Sequence, residues 1–426
     1  MGGGRMGIHA DWMKLFKETC PGAFSRCLPG GRPRAAFIDG QIQLMKSGHV
    51  ITWDQFVHSQ FAMPVRRMLR EHGAKSVVLA FDDYTYVPLA KGMTQAQRQK
   101  KTTPKPFHER QQLPDMIPDD WEHLICNRAF KKRVIEMVIS RLPLLVELDA
   151  DEELIIDYMG PPLCYRAGGA ASVMSELEPM GEADLKFFRY AERYGSLLAM
   201  ATDSDYVPIS LLRLHTRSYS CADAPRVVIL RLRTSLPGEK KTPAPKDERP
   251  RREYEFVDTN ALLAGLVPVL GRAGLPAEHS IEQLCTLIAL FGGTDFTRGM
   301  PSVGPRRAWD ALRSLAPGLV KGFDSATGQV VVACAVDSVV GVAYARAYTK
   351  HAWSATRGGL CDVLGALQRS KLAATTKARM PSVAFAHTCV CNTNWVLLYW
   401  KGMYTHELSG DFGYKAVGHR VTYADA

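Results

Sequence analysis

An α/β fold built on a mainly parallel sheet is predicted by three apolar runs of strand length, each ending on an aspartate. Arg34-Ala-Ala-Phe-Ile38 runs into Asp39, and Ser76-Val-Val-Leu-Ala-Phe81 runs into Asp82. Leu197-Leu-Ala-Met-Ala-Thr202 runs into Asp203, with Asp205 two residues on. In α/β sheets ligands and catalytic groups collect outside the carboxyl ends of the parallel strands. Pairing the three runs in one sheet therefore places four carboxylates at one rim. Neighbouring carboxylates repel by about 1 kcal/mol at 4 Å in water, and by several times that near a protein surface. Such a cluster persists ionised only beside compensating cations, and oxygen-only ligands favour Mg²⁺ or Mn²⁺.

The whole chain sets the bounds. Its 426 residues suffice for one large core or two domains. A hydrophobic content of 46% with 23% charged residues is that of an ordinary globular protein. Lys and Arg exceed Asp and Glu by 53 to 43, a formal +10. That excess suits a polyanionic partner such as nucleic acid, although basic proteins without one are common. The ten cysteines form no C-x-x-C pair and follow no secretory signal, which fits a reducing intracellular compartment. No apolar run approaches the roughly 20 residues that span a membrane.

Taken in order, residues 1–5 read as a leader ahead of a second possible start, Met6-Gly7-Ile8. An amphipathic helix with Trp12, Leu15 and Phe16 on one face follows, and then the Pro29-Gly-Gly31 turn into the first strand. Residues 54–71 place Phe56, Val57, Phe61, Val65, Met68 and Leu69 at helical spacing. Lys91 to Arg110 is polar and basic with little to bury, and by itself reads as a solvated loop. Residues 128–157 turn apolar, with a helix through 130–139. Gly181-Glu182-Ala-Asp184 enters another helix, where acidic residues have an electrostatic explanation of their own.

Beyond Asp205 come a helical run at 209–214 and a strand at 226–232. Residues 237–253 form a Pro-rich charged insert, read as a mobile surface loop whose basic clusters are weak evidence for a nuclear-import signal. Helical sequence resumes at 257–291 and leads to Gly293-Thr-Asp295 and then Gly299-Met-Pro-Ser302-Val-Gly304-Pro-Arg306-Arg307. Two glycines five apart, followed by basic residues opening a helix, suit a phosphate-binding turn. His387, Cys389 and Cys391 match no zinc spacing and read as buried thiols.

These pieces together resemble the flap endonuclease branch of the XPG-type structure-specific nucleases. Met6-Gly7-Ile8 resembles the family's N-terminal Met-Gly-Ile, at the family's distance from Asp39. Asp82 looks like the second metal-site aspartate, and Glu182-Ala-Asp184 like Glu-Ala-Glu with its second Glu shortened. The nineteen-residue step from Asp184 to Asp203, the Asp203-Ser-Asp205 pair and Gly293-Thr-Asp295 are similar to family features. Gly299 to Arg307 is similar to the helix-two-turn-helix. The resemblance covers roughly residues 6–98 and 178–315.

The resemblance implies a PIN-like nuclease core over 6–320. That core would carry a helical arch at about 84–135, the insert at 237–253 and the helix-two-turn-helix at about 285–315. Residues 321–426 would be a C-terminal region of undetermined role. It implies two Mg²⁺ ions, replaceable by Mn²⁺, on Asp39, Asp82, Glu182, Asp184, Asp203, Asp205 and Asp295. Lys91 and Arg98, seven residues apart as in the family, would act on the scissile phosphate from the arch. Gly7, Met45, Gly299, Ser302, Gly304, Arg306 and Arg307 would touch DNA, with K⁺ at the helix-two-turn-helix. Met45 departs from the Tyr that the family stacks on a base, and a start at Met1 would block the Gly7 amine.

The expected activity is hydrolysis of phosphodiesters at 5′-flap or branched DNA, in replication, repair or recombination. The expected partner is branched DNA, met by a monomer with no sliding-clamp box and no membrane, in the nucleus or at a viral replication site. The departures suit a viral or protozoan member. The alternatives are an RNA-degrading nuclease of the same superfamily, a scaffold that binds nucleic acid without cutting, and a junction resolvase that dimerises on its substrate.

Overall fold

The computed structural model describes residues 10–45, 51–83, 105–177, 180–201, 203, 205–218, 224–232, 254–272, 277–292, 305–313, 396, 397 and 400. In chain order its strands are β1 (Phe24–Ser25), β2 (Ala35–Asp39), β3 (Ser76–Ala80), β4 (Glu153–Asp157), β5 (Leu163–Arg166), β6 (Ser172–Val173), β7 (Ser196–Met200), β8 (Arg226–Leu232) and β9 (Tyr254–Asp258). They form one sheet in the order β1-β9-β8-β7-β2-β3-β4-β5-β6. The middle strands, β8, β7, β2, β3 and β4, run parallel. Antiparallel strands close both edges, β9 and β1 on one side and β5 and β6 on the other.

The chain is thus of the α/β class, and the three Asp-ended runs are adjacent parallel strands. Ile38 of β2 lies beside Leu79 of β3 on one flank and Met200 of β7 on the other. All three runs therefore leave the sheet at the same edge. Strand β4 was not foreseen as a strand, although Glu153-Leu-Ile-Ile-Asp157 is another apolar run ending on Asp.

Alternation along each strand divides the core in two. In β2, Ala35 and Phe37 face one cluster, while Ala36 and Ile38 face the other. The first cluster holds α1 (Ala10–Thr19), with Trp12, Leu15 and Phe16 buried as their spacing predicts. It also holds residues from the helices Ala183–Tyr194, Tyr206–Ser218, Thr259–Arg272, Ala277–Gly292 and Pro305–Arg313. Val396, Leu397 and Trp400 pack into the same cluster, so residues near the C-terminal end of the chain contribute to this core.

The second cluster lies under the other face. The helix expected over 54–71 is there, but in three pieces: Trp53–Val57, a π turn at His58–Ala62, and Met63–Arg70. Pro64 has no amide to offer the carbonyl of Gln60, and the turn ahead of it opens to π spacing. Thr52 and Gln55 cap its start reciprocally. The helix Arg128–Leu145 buries Phe130, Val134, Ile135, Val138 and Leu142 along one face and is capped by Asn127. Trp121, Ile125, Phe130 and Val134, within the stretch read as the arch, are buried in this cluster. Residues 84–104, with Lys91 and Arg98, lie outside the described residues.

Gly195 ends the helix Ala183–Tyr194 in the left-handed conformation, at φ 70°, and hands the chain directly to β7. Its geometry fixes where the third Asp-ended strand begins.

Candidate metal-carboxylate site

Asp39 is the last residue of β2 and caps the short helix Gly40–Leu44. Its Oδ1 accepts the amides of Gln41 at 2.9 Å and Ile42 at 3.3 Å. The opposite oxygen, Oδ2, accepts the hydroxyl of Tyr206 at 2.9 Å. Gly40 lets this turn lie against β3, because a Cβ there would stand 2.5 Å from Phe81 Cε1 and 2.7 Å from the Ala80 carbonyl oxygen.

Asp82 lies two residues beyond β3. Its Oδ1 accepts the amide of Ala183 at 3.0 Å, and the Asp83 amide donates to the Gly181 carbonyl at 2.6 Å. Lys186 Nζ donates to the Phe81 carbonyl at 2.7 Å. These bonds dock the N-terminus of the helix Ala183–Tyr194 onto the end of β3. Glu182, buried, is the N-cap of that helix and Asp184 lies in its first turn, where the helix dipole favours negative charge.

Asp203 lies beyond β7 and is exposed, and its Oδ1 accepts the Asp205 amide at 3.3 Å. Asp205, buried, opens the helix Tyr206–Ser218, with its carbonyl accepting the Ile209 amide at 3.1 Å.

The electrostatics bind these parts into one site. Burial, with the charge of Asp82 next and that of Asp203 adding, pushes the Asp39 carboxyl up to about 7, against the hydrogen bonds from Tyr206 and Ile42. Burial and the fields of Asp39, Asp184 and Asp203 push the Tyr206 hydroxyl well above its ordinary value. Tyr206 therefore sits amid three of the carboxylates that the sequence singled out. Arg231, on β8, is pulled down by burial while Glu255 and Asp203 hold it up.

The donor set, all carboxylate oxygen, fits Mg²⁺ or Mn²⁺ by its chemistry. A bound cation would offset the cost of ionising Asp39 among its neighbours. Among the described residues, however, no group of three His, Cys, Asp or Glu side chains is arranged to hold a metal ion. Asp39 and Asp82 instead spend oxygens on protein donors.

Of the remaining expected residues, Met45 ends the Gly40–Leu44 helix and is 57% exposed. Arg306 and Arg307 are exposed in the first turn of Pro305–Arg313, with Arg306 Nη1 2.6 Å from Glu18 Oε2 on α1. Gly7, Asp295, Gly299, Ser302, Gly304, the insert at 237–253 and the His387/Cys389/Cys391 group lie outside the described residues.

Sequence reasoning missed Tyr206, Lys186 and Asp157. Tyr206 had a signal in its place directly after Asp205. Lys186 had one too: a cation inside Leu185-Lys-Phe-Phe188, among bulky apolar residues, calls for a buried anion.

No family model and no curated protein matches this chain. Among solved structures it is similar to the catalytic core of Rad2 in complex with a DNA substrate, at 13% sequence identity and a TM-score of 0.37. The match covers 96% of this chain and 99% of that one. The chemistry of the site follows from its own residues.

Proposed function

We propose that this protein is a metal-dependent, structure-specific 5′ nuclease that hydrolyses phosphodiester bonds at flapped or branched DNA. The observation that carries the reading is the convergence at one sheet edge. Asp39, Asp82 and Asp203 leave three adjacent parallel strands together, and Asp82 receives the helix that bears Glu182 and Asp184. A rim of carboxylates outside parallel strands is where an α/β fold does its chemistry, and a buried carboxylate whose pKa is raised by burial and by neighbouring charges, as that of Asp39 is, is common at such sites.

In this reading Asp39, Asp82, Glu182 and Asp184 would hold one divalent ion, and Asp203, Asp205 and Asp295 the other, the described carboxylates closing on the ion from the metal-free arrangement. When bound, the ions supply a nucleophilic water and charge stabilisation for an in-line displacement. Tyr206 fixes Asp39 so that Oδ2 keeps one orientation. Lys91 and Arg98 stabilise charge on the phosphate, an electrostatic role commonly worth about 3–4 kcal/mol per donor. Residues 299–307 grip duplex phosphates, so sequence preference is slight and salt dependence steep.

The test is cleavage of a labelled 5′-flap duplex in Mg²⁺, wild type beside Asp203→Ala, with single-stranded RNA in parallel. Cutting near the flap base that vanishes in the variant supports the reading. Cutting confined to RNA replaces it with an RNA-degrading nuclease. Flap binding with no cutting in Mg²⁺ or Mn²⁺ sinks it in favour of a non-cutting scaffold.

A further inference from the structure

Lys186 is 0% exposed, a costly place for an ammonium group. Its Nζ donates to the Phe81 carbonyl at 2.7 Å and lies 3.0 Å from Asp157 Oδ1, with the Asp157 carbonyl oxygen at 3.5 Å. Asp157, at the end of β4, is held independently. Arg189 pairs with its Oδ2, and the Tyr190 hydroxyl donates to the same oxygen at 2.8 Å.

Asp157 is the counter-ion of both Lys186 and Arg189, so charge balance alone does not explain why Lys186 is there. Its other contact does. The Phe81 carbonyl is the last backbone group before Asp82, and Lys186 stands one helical turn after Glu182, on the same face. Two backbone ties lie beside it, Ala183 N–H to Asp82 Oδ1 and Asp83 N–H to the Gly181 carbonyl.

We propose that Lys186 is a positioning residue. Its buried ammonium, braced against Asp157, fastens the helix that carries Glu182 and Asp184 to the loop that carries Asp82, and so sets the spacing of the carboxylates. The inference rests on the nuclease reading for the function of that spacing, but not for the fastening itself.

The test compares Lys186→Met with Arg189→Met in the full-length protein. Lys186→Met leaves Asp157 its bonds to Arg189 and Tyr190, and so should fold. Arg189→Met leaves the Lys186 tie intact. Hydrogen exchange of metal-free protein, read in peptides over 81–84 and 181–186, should quicken at least tenfold in Lys186→Met and change less than threefold in Arg189→Met. Mn²⁺ affinity, read from the free-ion paramagnetic resonance signal, should fall at least tenfold in Lys186→Met and less than threefold in Arg189→Met. Flap cleavage by Lys186→Met should lose kcat with KM unchanged.

Unchanged exchange in Lys186→Met, or equal quickening in both variants, overturns the fastening. Quickened exchange with wild-type Mn²⁺ affinity overturns the link to spacing. A wild type that binds no Mn²⁺ and cuts no flap overturns the nuclease reading instead, and the exchange result alone then decides the fastening.

Discussion

The hydroxyl of Tyr206 donates to Asp39 Oδ2 across 2.9 Å, joining positions 167 residues apart in the chain. They meet because β7 pairs with β2, so the helix that follows β7 starts beside the end of β2. The Tyr206 ring is held by Phe187 at 4.9 Å and Phe37 at 6.3 Å between centroids. The packing of one core face thus sets the direction of a carboxylate at the rim.

Tyr206→Phe keeps that packing and removes the donor. Leaving a buried acceptor without its partner costs about 1–3 kcal/mol, to be read as a lower urea midpoint. The pKa of Asp39 should rise further, because the lost bond favoured the ionised form.

The pH dependence of metal-free protein has a definite sign. The Asp39 pKa is raised on folding, from 3.8 to about 7. Its contribution to stability is therefore full below pH 3.8 and is lost as pH rises through about 7. Asp39→Asn removes that titration. Urea unfolding from pH 4 to 8 should show the variant gaining on wild type as pH rises, and parallel curves would refute the assignment.

Asp157→Ala removes the carboxylate from between Lys186 and Arg189. An uncompensated buried charge costs about 3–5 kcal/mol, so the thermal midpoint should fall by several degrees whether or not the protein is an enzyme. A variant as stable as wild type would show that the two cations find other partners.

Gly40→Ala places a methyl 2.5 Å from Phe81 Cε1 and 2.7 Å from the Ala80 carbonyl oxygen. Overpacking of this kind costs about 1–3 kcal/mol. Because it forces the Asp39 turn away from β3, flap cleavage should fall more than stability does. Circular dichroism melts beside cleavage rates measure the two effects separately.

Arg306→Ala breaks an exposed ion pair with Glu18, so stability should change by less than about 1 kcal/mol. Duplex affinity should drop, and the slope of log K against log salt should shrink by about 1. An unchanged slope would remove Arg306 from the phosphate contacts.

How far the sequence could be read differs from element to element. Strands β2, β3 and β7 were legible because strands buried on both faces read as continuous apolar runs, and each stops at a charge. Strand β4 has the same pattern, but it follows an apolar helix within residues 128–157, where one long hydrophobic stretch hides the change of period. The break at Pro64 had a signal in the proline. The burial of Trp121 and Phe130 had one in their aromatic character, masked by the polar neighbourhood.

By itself the sequence determined the α/β class and the carboxylates at the ends of its strands. Both depend on what each residue can bury locally, and local burial leaves its period in the chain. Only the tertiary structure decided that Asp39 faces Tyr206, that Asp82 receives the amide of Ala183, and that Lys186 is braced between β3 and β4. Those contacts depend on strand order and register, which arise when the whole chain closes its two cores against one sheet.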